Sequence, residues 1–231
     1  MSVIITKGII TALKLEADLI IAKYGLKETK TLGSLSVYEG IRKGDDEEDE
    51  NIVLIICGEG KTQSAFATTY ICENYSLDKI VNIGIVGNLN HEMLSIGDVI
   101  IPNTFVQHDF YMPESIDFSA HLREPIFLEY AIGEEYNLEK FKLHLSGICA
   151  TGDQFIDNED LKSEIVEKYS ADIVDMEVYS VLTVLKAYDL LDKTVVIKSV
   201  SDGADESAES NSMDNLNLAM KNAVAILDFT L

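Results

Sequence analysis

The sequence predicts an α/β protein: one domain in which a largely parallel or mixed sheet is covered by helices. Three observations lead there. Aliphatic and β-branched runs of strand length alternate with stretches of helical period along the whole chain. No Gly-, Pro- or Ser-rich stretch marks a linker within the 231 residues, so a length compatible with one or two domains resolves to one. Hydrophobic residues make up 47% and charged residues 25%, the balance of a chain that buries a sizeable core rather than staying disordered.

The elements follow in order. "SVIITKGII" reads as a strand, and "TALKLEADLIIAKYG" places Leu13, Ala17, Ile20 and Tyr24 at helical spacing up to a stop at Gly25. "TLGSLSVYEGI" and "NIVLIICGEG" are strands joined through "RKGDDEEDE", whose charge density only solvent satisfies, so that run is a hairpin tip. A helix is expected over 61–75, then strands in "DKIVNIGIVGN" and "IGDVIIPNTFVQHD". Residues 110–123 lack a period and read as a long loop, followed by a helix over about 124–136. "FKLHLSGICATGD" is a strand and "NEDLKSEIVEKYS" a helix with Asn158 as N-cap. "ADIVDMEVYSVLTVLKAYDL" is a short strand passing into a helix, "TVVIKSV" a buried strand, and a last helix starts near Asn211.

Composition narrows the function. Forty acidic residues against eighteen basic ones give a formal charge of −22, which repels phosphate backbones and anionic membrane surfaces, so neither nucleic acid nor a membrane is an expected partner. Apolar runs such as "IVLIIC" are too short to span a bilayer and the N-terminus lacks the features of a secretory signal, so a cytoplasmic location is expected. Cys57, Cys72 and Cys149 are an odd set without CxxC spacing, and Cys57 and Cys149 sit in apolar runs, so no disulfide framework is expected. His91, His108, His121 and His144 never approach metal-site spacing, and no metal site is expected.

"CGEGKTQS" ends like a phosphate-binding loop, but Ile55 stands where the first glycine belongs, so it reads as a strand-to-helix turn; a GxSxG elbow is also absent. The carboxylates are more informative. Glu177 follows a short strand and Asp202 ends the next one, with a helix of about a dozen residues between them. That is the spacing of a right-handed βαβ crossover, which brings both acids to one edge of the sheet, where ligands bind in open α/β folds. Equally, Glu177 suits a helix start and Asp202 a turn cap. Glu16, on the first helix, reads by pattern as an exposed residue, though its place just after a strand leaves it able to face the same crevice. Phe155, in "ATGDQFID", suits the core better than a platform for a ring.

Five stretches in order, "NIGIVGNL", "IGDVIIPN", "ATGDQFI", "VDMEVYS" and "SVSDGAD", resemble the successive motifs of the nucleoside phosphorylase superfamily, most closely the 5'-methylthioadenosine/S-adenosylhomocysteine nucleosidases, over nearly the whole chain. The resemblance implies a nucleoside phosphorylase-like fold, a single domain with a central distorted mixed β-sheet flanked by helices, and a homodimer. It further implies a purine nucleoside as substrate, cleaved at its N-glycosidic bond without a cofactor. By the same resemblance Asp202 donates a proton toward purine N7 and Glu16 activates water. Met176 and Glu177 hold the ribose, Phe155 stacks on the base and Ile156 contacts it through its backbone. The chemistry fits: bond cleavage leaves negative charge on the purine and positive charge on the ribose.

Hydrolysis is expected over phosphorolysis, because phosphate is usually gripped by arginine forks and the chain holds only Arg42 and Arg123, neither in the glycine-rich motifs. Three positions depart from the nucleosidase pattern: Ile85 replaces a small hydroxyl residue, Asn88 a glycine and Lys198 an arginine. Ile85 and Lys198 belong, by the resemblance, to the water and ribose pocket. They motivate one alternative, a relative that binds nucleosides without turnover; a phosphate-dependent phosphorylase is the other alternative to hydrolysis.

Overall fold

The computed structural model describes residues 6–44, 48–116, 118, 120–130 and 141–231. The strands are β1 (Thr6–Thr11), β2 (Lys27–Leu32), β3 (Leu35–Lys43), β4 (Asp49–Ile56), β5 (Leu77–Asn88), β6 (Val99–Ile100), β7 (Thr104–Gln107), β8 (Ile126–Phe127), β9 (Leu143–His144), β10 (Ile148–Thr151), β11 (Ile173–Asp175) and β12 (Thr194–Asp202). The helices are α1 (Lys14–Tyr24), α2 (Lys61–Asn74), α3 (Glu159–Tyr169), α4 (Val178–Ala187) and α5 (Ala208–Ala225).

The strands of the described residues form one mixed sheet in the order β2-β3-β4-β1-β5-β11-β10-β7-β8, with β12 on β5 and β6, and β9 on β6. The pairs β1–β4, β1–β5 and β5–β12 are parallel, whereas β3–β4, β5–β11 and β6–β12 are antiparallel. Successive side chains of a strand face opposite ways, and here they feed opposite cores. Ile10, Val53, Ile55 and Val196 pack with Ile71 of α2 and Leu182 of α4. Ile9, Ile52, Leu54, Val195 and Ile197 pack with Ile20 of α1 and Met220 of α5. Near-continuous apolar strands such as "TVVIKSVSD", buried at every position, follow from this double cover. Cys57 and Cys149 are buried among these side chains, as their apolar runs suggest.

Most expected elements are present. α1 stops at Gly25, which adopts a left-handed conformation, and the Asn158 side chain accepts from the Leu161 N–H to cap α3. β3 and β4 pair antiparallel as far as Lys43 and Asp49, as a hairpin around the acidic run requires.

Several expectations are corrected. β2, "KETKTL", is an edge strand whose six residues are all exposed, so it carries no apolar signal. The run from Ile96 to Asp109 is not one strand but β6 and β7, parted around Pro102, which cannot donate to a ladder. The run from Phe141 to Asp153 likewise divides into β9 and β10, with Gly147 between them. Where a helix was expected over 124–136, residues 126–127 pair with β7 instead and 131–136 lie outside the described residues. The expected loop over 110–123 contains two short 3₁₀ turns. α5 begins at Ala208, three residues before the expected Asn211. Ser2 to Ile5 of the first expected strand are also outside the described residues.

Candidate active site

An open hollow of about 610 Å³ lies where β1, β5, β11 and β12 end and the N-terminal turn of α5 begins. Its walls include Glu16, Ile85, Phe155, Ile156, Met176, Glu177 and Asp202, which the sequence places far apart. The route to this convergence is not the expected one. β12 runs parallel to β5 but β11 runs antiparallel to it, so α4 does not make a parallel crossover. The acids meet because β5 outruns β1 and its Gly87 pairs with both Val174 of β11 and Asp202 of β12. A side chain there has no room: a Cβ on Gly87 would lie 3.0 Å from Val174 Cγ1 and 3.1 Å from Asp202 Oδ1.

Glu16 is 3% exposed, so the surface position suggested by its helical pattern is corrected. It stands at the third position of α1, where a glutamate reaches back to the helix start. Its Oε2 accepts from Thr11 Oγ1 at 2.8 Å, Ala12 N at 3.0 Å and Leu13 N at 2.8 Å. Its Oε1 accepts from Ile85 N at 2.9 Å alone. With three donors on Oε2 and one on Oε1, Oε1 retains a lone pair for a further partner. The close approach needs Gly84, on which a Cβ would lie 2.8 Å from Oε1.

Asp202 ends β12 just past a bulge. Val200 pairs with Val86 and Asp202 with the next residue, Gly87, leaving Ser201 as the extra residue. Such bulges bend a strand and re-aim the side chain that follows. Asp202 is 3% exposed; its Oδ2 accepts from Ser201 Oγ at 2.8 Å and its Oδ1 from Ala204 N at 3.0 Å. Burial raises its pKa above the usual carboxylate value, while those two donors pull the other way. The turn that follows holds Ala204 at φ 50, a left-handed conformation unusual for a residue with a side chain.

Glu177 occupies the N-cap position of α4, and its Oε1 accepts from Gly60 N at 2.8 Å, the residue that opens α2. "CGEGK" is therefore the expected strand-to-helix turn, and its backbone holds a carboxylate rather than a phosphate. Burial, then the charge of Asp175, pushes Glu177 up to about 8, against the Lys198 charge and the Gly60 bond. Lys198 Nζ lies 2.8 Å from Asp175 Oδ2, both side chains being fully buried. Asp175 also accepts from Thr151 Oγ1 at 2.6 Å and Val178 N at 3.0 Å. Burial works against the Lys198 charge, but Asp175 and Glu177 raise its pKa overall. Lys198, which the resemblance placed in the water and ribose pocket, is not among the cavity-lining residues and pairs with Asp175 behind the wall.

Phe155 is 45% exposed on the cavity wall, not in the core where its pattern put it. Ile156 is buried beside it, and Met176 and Ile85 line the same hollow. Sequence reasoning missed the wall formed by Glu209, Ser212 and Met213, of which only Glu209 precedes the expected helix start at Asn211. It also missed the backbone grip of Gly60 on Glu177.

A hollow lined by carboxylates at the strand ends of a mixed α/β sheet is where small-molecule enzymes of this architecture bind their ligands. The chain belongs to the phosphorylase superfamily, whose family model matches residues 6–231. It is 31% identical over 226 residues to the 5'-methylthioadenosine/S-adenosylhomocysteine nucleosidase of Buchnera aphidicola subsp. Schizaphis graminum, covering 92% of this chain and 90% of that one. It is 27% identical over 215 residues to the aminodeoxyfutalosine nucleosidase of Helicobacter pylori strain 26695, covering 87% of each. The solved structure of futalosine hydrolase from that strain has the same fold, with a TM-score of 0.83 at 24% identity over 98% of this chain and 97% of that one.

Proposed function

We propose that the protein hydrolyses the N-glycosidic bond of a purine nucleoside, with 5'-methylthioadenosine or S-adenosylhomocysteine as substrate, and releases adenine. The observation that carries this reading is the meeting of Glu16, Glu177 and Asp202 around one cavity large enough for a nucleoside. Nucleosidases among the relatives support the same chemistry.

Asp202, which burial favours in its protonated form, gives its proton to purine N7 as the bond from C1' to N9 breaks and its electron pair moves onto the base. Phe155 offers its exposed face for stacking on the purine, and Ile156 lies at the base edge. Met176 and Glu177 hold the ribose, with Glu177 binding a sugar hydroxyl. Water attacks C1', and Glu16 Oε1, with its spare lone pair, takes the water proton. Ile85 gives its N–H to Glu16 and its side chain to the wall. No cofactor enters these steps.

Among the described residues no lysine or arginine lines the cavity, which supports water over phosphate as the nucleophile. The reading includes a cytoplasmic homodimer. The support for the homodimer is the apolar surface concentrated between Phe110 and Phe127, where Tyr111, Ile116, Leu122 and Phe127 are all exposed. No helix among the described residues is long and apolar enough to cross a membrane.

Incubating the purified protein with 5'-methylthioadenosine and following adenine release, with and without inorganic phosphate, tests the proposal. Release at a rate indifferent to phosphate is expected. Release only with phosphate would make the enzyme a phosphorylase, and tight adenine binding without release would make it a binding protein.

A further inference from the structure

We propose that Lys162, on α3, is a positioning residue for Asp202: it grips the turn that follows the acid and sets the charge the acid feels. The proposal rests on the reading of Asp202 as the proton donor.

Lys162 sits on the inner face of α3 beside Ile165 and is almost wholly buried. Its ammonium reaches Gly203 O at 2.9 Å, the carbonyl next along the chain from Asp202. It also reaches His91 Nε2 at 2.6 Å and, more weakly, Glu159 Oε1 at 3.4 Å, on a side chain largely open to solvent. A buried cation held mainly by a carbonyl and an imidazole is an expensive way to fill space that a methionine would fill without charge. Its reach explains its use. The turn it grips carries Ala204 in a left-handed conformation and delivers the Ala204 N–H to Asp202 Oδ1. Strained backbone of this kind persists where surrounding contacts over-determine it. The far side is closed as well: a Cβ on Gly203 would lie 3.3 Å from His91 Cε1, and Asn88 Nδ2 approaches His91 Nδ1 at 3.2 Å.

The charged groups around Asp202 come from every side. Asp205, on the same turn, pushes its proton affinity up and Lys162 pulls it down. His91 lies behind Lys162 on the 89–98 loop. Glu16, Glu177 and Glu209 line the hollow that Asp202 shares. Burial raises the proton affinity of Asp202 and Asp205 adds to it, while Lys162 works with the Ser201 and Ala204 bonds in the opposite direction.

The test compares wild type with Lys162→Met, Lys162→Gln and Lys162→Arg in two readouts. The first is the titration of the Asp202 carboxyl carbon by NMR in protein with ¹³C-labelled aspartate, the signal assigned with Asp202→Asn. It requires no turnover. Removing the cation in Lys162→Met and Lys162→Gln is expected to raise the Asp202 pKa by about half a unit or more, while Lys162→Arg leaves it near wild type. The second is the pH profile of adenine release. In Lys162→Met, kcat is expected to fall by about tenfold with little change in KM, and the alkaline limb to move to higher pH. Folded Met and Gln variants with unaltered Asp202 titration and unaltered kcat would overturn the proposal, leaving Lys162 a packing residue. If Lys162→Met does not fold, the Gln variant decides. Absence of turnover in wild type would defeat the nucleosidase reading, while the titration would still decide the influence of Lys162 on Asp202.

Discussion

Replacing Lys198 by methionine is the most informative perturbation of the scaffold behind the cavity. The Lys198–Asp175 pair is 2.8 Å long and closed to solvent, so removing the cation strands a buried carboxylate. Breaking a buried pair from one side costs about 3–5 kcal/mol. Asp175 keeps the Thr151 hydroxyl and the Val178 N–H as donors, which favours the lower end, about 3 kcal/mol. For a chain of this size, at about 2–4 °C per kcal/mol, the melting temperature should drop by roughly 6–12 °C. Urea unfolding of wild type, Lys198→Met, Asp175→Asn and the double variant measures it. The double variant should recover a good part of the loss, because no lone charge is left inside, and Lys198→Arg should lose far less than the methionine variant. A loss under about 1 kcal/mol in Lys198→Met, or a double variant as unstable as the sum of the singles, would refute the reasoning.

Asp202→Asn should lower turnover by at least ~10² while the circular dichroism spectrum and melting temperature stay near wild type, the scale of lost acid catalysis; an unchanged rate would remove Asp202 from the mechanism. Gly84→Ala, which drives a Cβ against Glu16 Oε1, should lower kcat by about tenfold or more with a smaller effect on KM, since Glu16 is held by four donors and cannot step aside freely. A wild-type kcat in that variant would show that Glu16 tolerates displacement. Glu177 supplies a pH test. Its folded pKa, about 8, stands above its ordinary value of 4.5, so the folded chain keeps this proton after the unfolded chain has lost it. Stability should therefore fall as pH rises between about 4.5 and 8, and Glu177→Gln should flatten that fall in urea midpoints measured across the range. Equal slopes in the two proteins would contradict the assignment.

Much of this was legible in the sequence because apolar period survives wherever a face is buried. β12 and α3 show it plainly, one buried at every position and the other capped by Asn158. β2 was invisible because all six of its side chains face solvent, and only its pairing with β3 makes it a strand. The direction of β11 was invisible for another reason. A three-residue strand carries no mark of parallel or antiparallel pairing, and the spacing between Glu177 and Asp202 fits either.

The site divides along the same line. The motifs named Phe155, Ile156, Met176, Glu177, Asp202 and Ile85, and the wider resemblance added Glu16, all of which line one hollow. Local pattern misjudged two of them, reading Glu16 as exposed and Phe155 as core, because a cavity reverses the ordinary link between polarity and exposure. Lys198 and Lys162 lie a step behind the cavity, and their partners Asp175 and Gly203 are 23 and 41 residues away in sequence, a relation only the folded chain reveals.

A crystal structure of the complex with adenine tests the central claim most directly, through the distance from Asp202 to purine N7. The account predicts the base stacked on Phe155 with an Asp202 carboxyl oxygen about 3 Å from N7, within hydrogen-bond reach. Adenine bound elsewhere, or bound in the hollow with Asp202 turned away from N7, would contradict it.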